Sequence, residues 1–402
     1  MSSFQRTYMT MGICLVLIFA SKATAEEDKL VYPQTRRVDQ VDILHGVKVA
    51  DPYRWLEADV RNSKEVADWV KAENKVTFSY LEAIPQREKI RRRLTELWNF
   101  AQYFGAQKAG GRYYYFKNDG LQNQAVLYRL DTLEGEPKVL IDPNKWSQDG
   151  TIALQGLSFS DDGKYAAYSR AEAGSDWSDW YVMEIESGKL LSDELKWTKF
   201  TQAAWTKDGK GFFYSRFEPP RPEEMYQARN YNNKLYYHKL GAPQSDDVLV
   251  YFRPEHPDWL YSGQVTDDGR YLVITIELGS SDRYRIAVKD LSEPYAMPVE
   301  IIDNFDNEYT FVGNDGPVLF FKTDLDAPRR RLVAIDFRKP QRANWKEIIP
   351  QAEGTLTEVS LLADRFIASY LKDVLPQVKV FGMDGRFMRE VEFPGIGAVT
   401  GF

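Results

Sequence analysis

The sequence predicts a mainly β fold, a β-propeller of about six four-stranded blades preceded by a helical segment. Three observations carry this. A turn signature recurs, centred on Gly111, Gly163, Gly209, Gly269 and Gly316, at spacings of 52, 46, 60 and 47 residues. Each copy is followed by a short aromatic and β-branched run and then by a second strand-like run, and Asp-Gly between such runs supplies the positive φ of a tight hairpin turn. The residue pattern also changes near residue 98, from charged and helix-forming to strand-like. A unit of a few short strands cannot bury both of its faces alone, so such units must stack, and a period near fifty with hairpin turns fits propeller blades.

The first 25 residues read as an export signal. Arg6 gives a weakly basic start, Met11 to Ala20 is a short apolar run, and Ala23-Thr24-Ala25 is a small-residue cleavage site before Glu26. Cleavage there removes Arg6 and Lys22 and shifts the net charge from −7 to about −9. It also removes Cys14, the only cysteine, so the mature chain has no disulfide, cysteine nucleophile or thiolate metal site. The expected location is periplasmic or secreted, with no membrane association after cleavage.

Residues 26–98 form the helical segment. In Ser63 to Leu81 the apolar residues Val66, Trp69, Val70, Val76 and Tyr80 recur mostly at three- and four-residue intervals. Gln86 to Leu97 repeats the pattern around Ile90, Leu94 and Leu97, and Pro85 breaks the two helices apart. From residue 99 to 402 the pattern is β. Twelve runs stand out, from Tyr113–Phe116 to Gln377–Phe381, and group into units at about 99–150, 151–200, 201–260, 261–308, 309–356 and 357–393. Pro219 to Asn233 is a polar, Pro-rich insertion expected to project from one rim. Glu392-Phe393-Pro394-Gly395 reads as the opening of another blade, so the propeller is expected to be incomplete at the C-terminus.

The chemistry in these residues is sparse. With 59 acidic and 52 basic residues and no basic run, nucleic acid is not an expected partner. No Gly-x-Ser-x-Gly nucleophile elbow occurs; Gly279-Ser280-Ser281-Asp282 follows a blade strand and opens no helix. His45, His238 and His256 are not in a metal-like spacing, and no cofactor is expected. His238, among Tyr236 and Tyr237, reads as a packed strand residue, and His256, in a Pro-flanked loop, as a solvated one.

The N-terminal segment adds a family resemblance. Tyr32-Pro33, His45-Gly46-Val47-Lys48-Val49 and Asp51-Pro52-Tyr53-Arg54-Trp55-Leu56-Glu57 resemble the start of prolyl oligopeptidases. Ala72-Glu73-Asn74-Lys75, Gly120-Leu121-Gln122-Asn123-Gln124, Gly174-Ser175-Asp176-Trp177, Ala204-Trp205-Thr206-Lys207-Asp208-Gly209 and Ile302-Asp303-Asn304-Phe305 continue the match in order. The resemblance implies a serine endopeptidase that cleaves short peptides after proline. It has a seven-bladed propeller that filters substrates by size, inserted into an α/β-hydrolase domain that carries the Ser/Asp/His triad. That implies a seventh blade and a hydrolase domain beyond Phe402, no catalytic residue among these 402, and a chain inactive alone.

Four residues are carried over by position as substrate-binding. Phe200 matches an aromatic lining the pocket for the substrate residue two before proline. Leu260 matches a methionine of that pocket, and Ser280 a cysteine near it. Asp176 matches an acidic residue near a substrate-binding arginine of the hydrolase domain. Glu277 stands where relatives can carry an arginine. The alternative for Phe200 and Leu260 is blade packing, and for Asp176 a solvated turn residue. For the whole chain the alternative is a non-catalytic propeller that binds peptides or a protein partner on one rim.

Overall fold

The structure is a computed structural model and describes residues 30–221 and 229–401. The predicted export signal, and residues 222–228 of the insertion, lie outside the described residues. The chain divides into two compact units, one up to Leu97 and one from Trp98 on.

The first unit holds a β-hairpin and two helices. The hairpin pairs Val41–Leu44 with Val47–Ala50 around His45 and Gly46, whose φ of 50° and 82° make the tight turn. Helix α1 (Lys64–Glu82) starts at Ser63, whose hydroxyl accepts the Val66 N–H at 3.3 Å. Arg36 donates two hydrogen bonds to Glu65 in the first turn of α1, at 2.6 and 3.0 Å. Trp69 of α1 meets Trp55 edge to face at 6.4 Å and donates to Thr35 Oγ1 at 3.0 Å. Helix α2 (Arg87–Trp98) begins after the break at Pro85, and Ile90, Leu94 and Leu97 on its apolar stripe are all more than half exposed.

The second unit consists of six four-stranded antiparallel sheets, each with its strands hydrogen-bonded in sequence order. Blades 1 to 6 span 102–141, 152–198, 204–251, 259–302, 309–349 and 355–391. One predicted boundary shifts: Trp259 and Leu260 open blade 4 rather than close blade 3, because Leu260 pairs with Glu277 of the next strand. First strands of successive blades approach one another, as in blades 2 and 3, 3 and 4, and 5 and 6, so they form the inner layer.

The repeated signature makes the turn between the first two strands. In blades 2, 3 and 4 the chemistry is the same. A Ser or Thr (Ser160, Thr206, Thr266) donates through its hydroxyl to an Asp two residues on, at 2.7–2.8 Å. That carboxylate (Asp162, Asp208, Asp268) also accepts the backbone N–H of the basic residue after the glycine, at 3.0–3.1 Å. The glycine between them takes φ of 65–72°. At Gly163 a second constraint applies: a Cβ would lie 2.7 Å from the Cα of Gly110 in the turn of blade 1, so the two turns touch through glycine.

Five apolar seams join consecutive blades. Tyr114 stacks on Phe159 at 4.0 Å between blades 1 and 2, and Phe320 meets Phe366 at 5.0 Å between blades 5 and 6. Trp180, Leu195, Trp205 and Phe212 fill the seam of blades 2 and 3. Phe213, Leu235 and Ile274 fill that of blades 3 and 4, and Tyr271, Ile286 and Phe321 that of 4 and 5. Among the described residues no such cluster joins blade 6 to blade 1, and Tyr103 and Phe104 of blade 1's first strand stand 63% and 50% exposed.

Candidate functional site

Strand direction divides the loops of the six blades between two rims. The turns between first and second strands, and between third and fourth, lie on one rim. The second-to-third loops and the crossings from one blade to the next lie on the other. Asp176 and Ser280 sit in second-to-third loops, Phe200 in the crossing from blade 2 to blade 3, and Leu260 at the start of blade 4's first strand. All four residues carried over by resemblance therefore fall on one rim, opposite the Asp-Gly turns.

They form two groups on that rim. In the first, Phe200 is 58% exposed and held at φ 54°, a left-handed backbone that a bulky side chain rarely adopts. The residue is open to solvent, unlike the buried aromatics of the blade seams. Its neighbours on both sides are anchored: Thr198 donates to the Ser178 carbonyl at 2.6 Å, and Thr201 Oγ1 accepts the Ser215 N–H at 2.8 Å. Lys199 between them is 8% exposed, lies 3.9 Å over the Trp177 ring and donates to Asn230 at 3.1 Å. Burial lowers the Lys199 ammonium below its ordinary range, and the nearby Asp176 carboxylate works against that. Asp176 itself is exposed.

In the second group, half-buried Leu260 sits directly across from Glu277, whose carboxyl accepts from Ser262 Oγ at 3.3 Å. Burial raises the Glu277 carboxyl above the ordinary range, and the Ser262 hydroxyl opposes it. Ser280 lies just beyond in an exposed turn. Blade 3 stands between the two groups. The surface they offer has apolar side chains, one acidic group kept neutral more readily than usual, and one buried ammonium. Such a surface can bind and orient a peptide. No group of residues suited to hold a metal ion occurs among the described residues.

The structure refines both histidine expectations. His238 is a fully buried strand residue, and its ring is clamped: Nδ1 lies 2.7 Å from Asp247 and Nε2 2.9 Å from Asp193. Both ring nitrogens face carboxylates, so both carry protons. Burial opposes that charge, but the two carboxylates outweigh it and raise the pKa to about 9. His256 is not simply solvated: it is half-buried and stacks on Trp259 at 3.9 Å and 5°. Reading the sequence missed the buried lysine and the carboxylate clamp. Lys199 carries no local mark, and Asp193 and His238 meet only through blade stacking.

The family model described as prolyl oligopeptidase, N-terminal beta-propeller domain, matches residues 33–402. The chain belongs to the prolyl oligopeptidase family. The prolyl endopeptidase of Elizabethkingia meningoseptica is 36% identical over 384 residues, which is 96% of this chain and 54% of that protein. Prolyl oligopeptidase A of Amanita bisporigera is 32% identical over 406 residues, covering 92% and 53%. The chain thus spans about half the length of the curated relatives it matches. Among solved structures, one from a study of two prolyl endopeptidases superposes with a TM-score of 0.84 at 33% identity, covering 92% of this chain and 54% of that one. Prolyl oligopeptidase B of Galerina marginata, bound to a 35mer hydrolysis and macrocyclization substrate, gives 0.81 at 29% identity, covering 91% and 54%. The portion of the prolyl oligopeptidase architecture matched is the propeller, with the hairpin and helices that precede it.

Proposed function

We propose that this chain is the N-terminal and propeller portion of a serine endopeptidase that cleaves short peptides after proline, and that it is inactive alone. The match to the prolyl oligopeptidase propeller over residues 33–402 is the observation that carries this reading. The hydrolytic half would supply acyl transfer: serine attack, histidine as general base, then hydrolysis of the acyl-enzyme. The propeller supplies the size filter. Phe200, Leu260 and Ser280 face the peptide upstream of the scissile proline, and Asp176 acts on charge near its backbone. Phe200 supports this directly, since its exposure and left-handed backbone present a large apolar side chain on the rim. The product is proposed to be exported through residues 1–25 and to work in the periplasm or outside the cell.

The test is a fusion of this chain to the catalytic half of the Elizabethkingia meningoseptica prolyl endopeptidase. The fusion cleaves short proline-containing peptides, rejects folded proteins and is inert on proline-free peptides; the chain alone shows no turnover. In the fusion, Phe200→Ala raises KM more than it lowers kcat, with a loss of about 1–2 kcal/mol for one partly lost apolar contact. Turnover by the chain alone, or a fusion indifferent to Phe200→Ala on every peptide, contradicts the reading.

A further inference from the structure

The same rim carries a cavity that none of the four peptide-facing residues lines. It measures about 380 Å³ and opens on blade 2, between the second-to-third loop and the end of the fourth strand. Trp177, Trp197 and Tyr181 form its aromatic wall. Trp177 and Trp197 meet edge to face at 5.8 Å and 89°. Trp197 has φ 63°, and its carbonyl accepts the Phe217 N–H at 2.9 Å, so the backbone holds this large ring in a left-handed conformation. A rigid aromatic wall attracts cations through the negative ring faces, and the Lys199 ammonium already rests on Trp177.

Asp179 projects into the cavity without a cationic partner. Arg170 is directly across from it in the β ladder and is the obvious candidate. The Arg170 guanidinium is engaged elsewhere: it lies 4.4 Å from the Trp146 ring centre and 4.5 Å from that of Tyr181, and donates to the Tyr168 hydroxyl at 2.8 Å. Lys196, also on the cavity wall, pairs with Glu194 at 3.3 Å. No side-chain hydrogen bond or ion pair reaches the Asp179 carboxyl among the described residues. Glu172 stands at the same cavity, so two carboxyls share its wall with Arg170 and Lys196, and both of those cations are held by other partners. Burial raises the Asp179 carboxyl above its ordinary range; Glu194 and Glu172 add to this and Lys196 opposes it. A half-buried carboxyl beside aromatic faces gains most from a positively charged nitrogen that brings its own hydrogen-bond donors.

We propose that this cavity binds the cationic nitrogen of a peptide ligand, with Asp179 as its counter-ion and Trp177, Trp197 and Tyr181 as its aromatic wall. The proposal rests on the reading of this rim as peptide-facing, but it concerns a separate subsite and can be tested without catalysis. The cation could be a lysine or arginine side chain, or the peptide's own amino terminus.

The experiment measures binding to the full chain by tryptophan fluorescence and calorimetry, using three otherwise matched proline-containing tetrapeptide amides. One is N-acetylated with a lysine, one has a free amino terminus and no lysine, and one is N-acetylated and uncharged. At least one cationic peptide is expected to bind about tenfold more tightly than the uncharged one, as for a single charge-assisted hydrogen bond. Which of the two does so identifies the source of the cation. Asp179→Asn removes that advantage and leaves the uncharged peptide's affinity unchanged, with an unaltered melting temperature as the folding check. Equal binding of all three peptides by the unmodified chain overturns the proposal, whatever the variant does. So does a cationic preference that survives Asp179→Asn, or no saturable binding of either cationic peptide at millimolar concentration. A peptidase fusion that fails to cleave would contradict the functional reading and leave these binding outcomes standing on their own.

Discussion

The two rims of the six blades are built from the same strands and obey different rules. On the rim of the Asp-Gly turns, positive φ is taken mainly by glycine, as at Gly110, Gly163, Gly209 and Gly269, and the turn carboxylates are hydrogen-bonded. On the opposite rim the left-handed residues include Ala173, Trp197, Phe200, Asn232, Asp326, Arg330, Asp373 and Val374. Only one non-glycine of this kind, Ala363, lies on the turn rim of the blades among the described residues. Buried charge is paired on both rims: His238 bridges Asp193 and Asp247 toward the turn rim, and Glu308 takes Lys322 and Arg330 on the other, where Asp179 and Glu277 stand half-buried with no cation at ion-pair distance. The difference teaches where this fold can tolerate strain. The Asp-Gly turns are relaxed, and the loops of the opposite rim, proposed to face a peptide, hold most of the strained backbone and two carboxyls with no close cation.

The largest expected effect is on the turn-rim side. His238→Gln leaves two buried carboxylates facing an uncharged amide and should destabilise the chain by about 3–5 kcal/mol in denaturant unfolding. The pH dependence follows from the raised pKa. The imidazolium's contribution is complete below the unfolded value of 6.5 and is lost as pH rises through about 9, because the folded state holds its proton longer than the unfolded chain. The stability gap between the original chain and His238→Gln should therefore narrow across that window. A gap that is constant with pH would mean that the clamp is neutral, and the contrast between the rims would lose its best-paired charge.

The smallest expected effect is on the rim proposed to face the peptide. Phe200→Gly removes a side chain that is 58% exposed and relieves a left-handed backbone. Stability should stay level or rise by up to about 1 kcal/mol in thermal melts. A clear loss would show that Phe200 packs after all, and would erase the distinction at the residue that best displays it.

Sequence made the blades legible unevenly. All twelve predicted runs are second or third strands, because these are flanked by strands on both sides and, in blades 2 to 5, by blades on both faces, so they read as dense apolar and aromatic runs. First and fourth strands are edges of their sheets. They are more polar or very short, like Ala204–Trp205, and leave little periodicity to detect. The hairpin at Val41–Ala50 carries an alternating pattern around His45-Gly46, in a stretch that the family motif also covers. Helices α1 and α2 were visible from their three- and four-residue spacing. At the site, sequence resemblance supplied Phe200, Leu260, Ser280 and Asp176, and topology added that they share a rim. The clamp at His238 and the cavity around Asp179 depend on contacts between strands and blades, where one-dimensional spacing carries no signal.

The most direct test of the account is a hydrogen-exchange footprint of the full chain with and without a millimolar proline-containing peptide. The account predicts slowed exchange in the loops around Asp176, Phe200 and Leu260, and unchanged exchange in the turns at Gly163, Gly209 and Gly269. Protection centred on those Asp-Gly turns, with none at Phe200, would place the ligand on the opposite rim and contradict it.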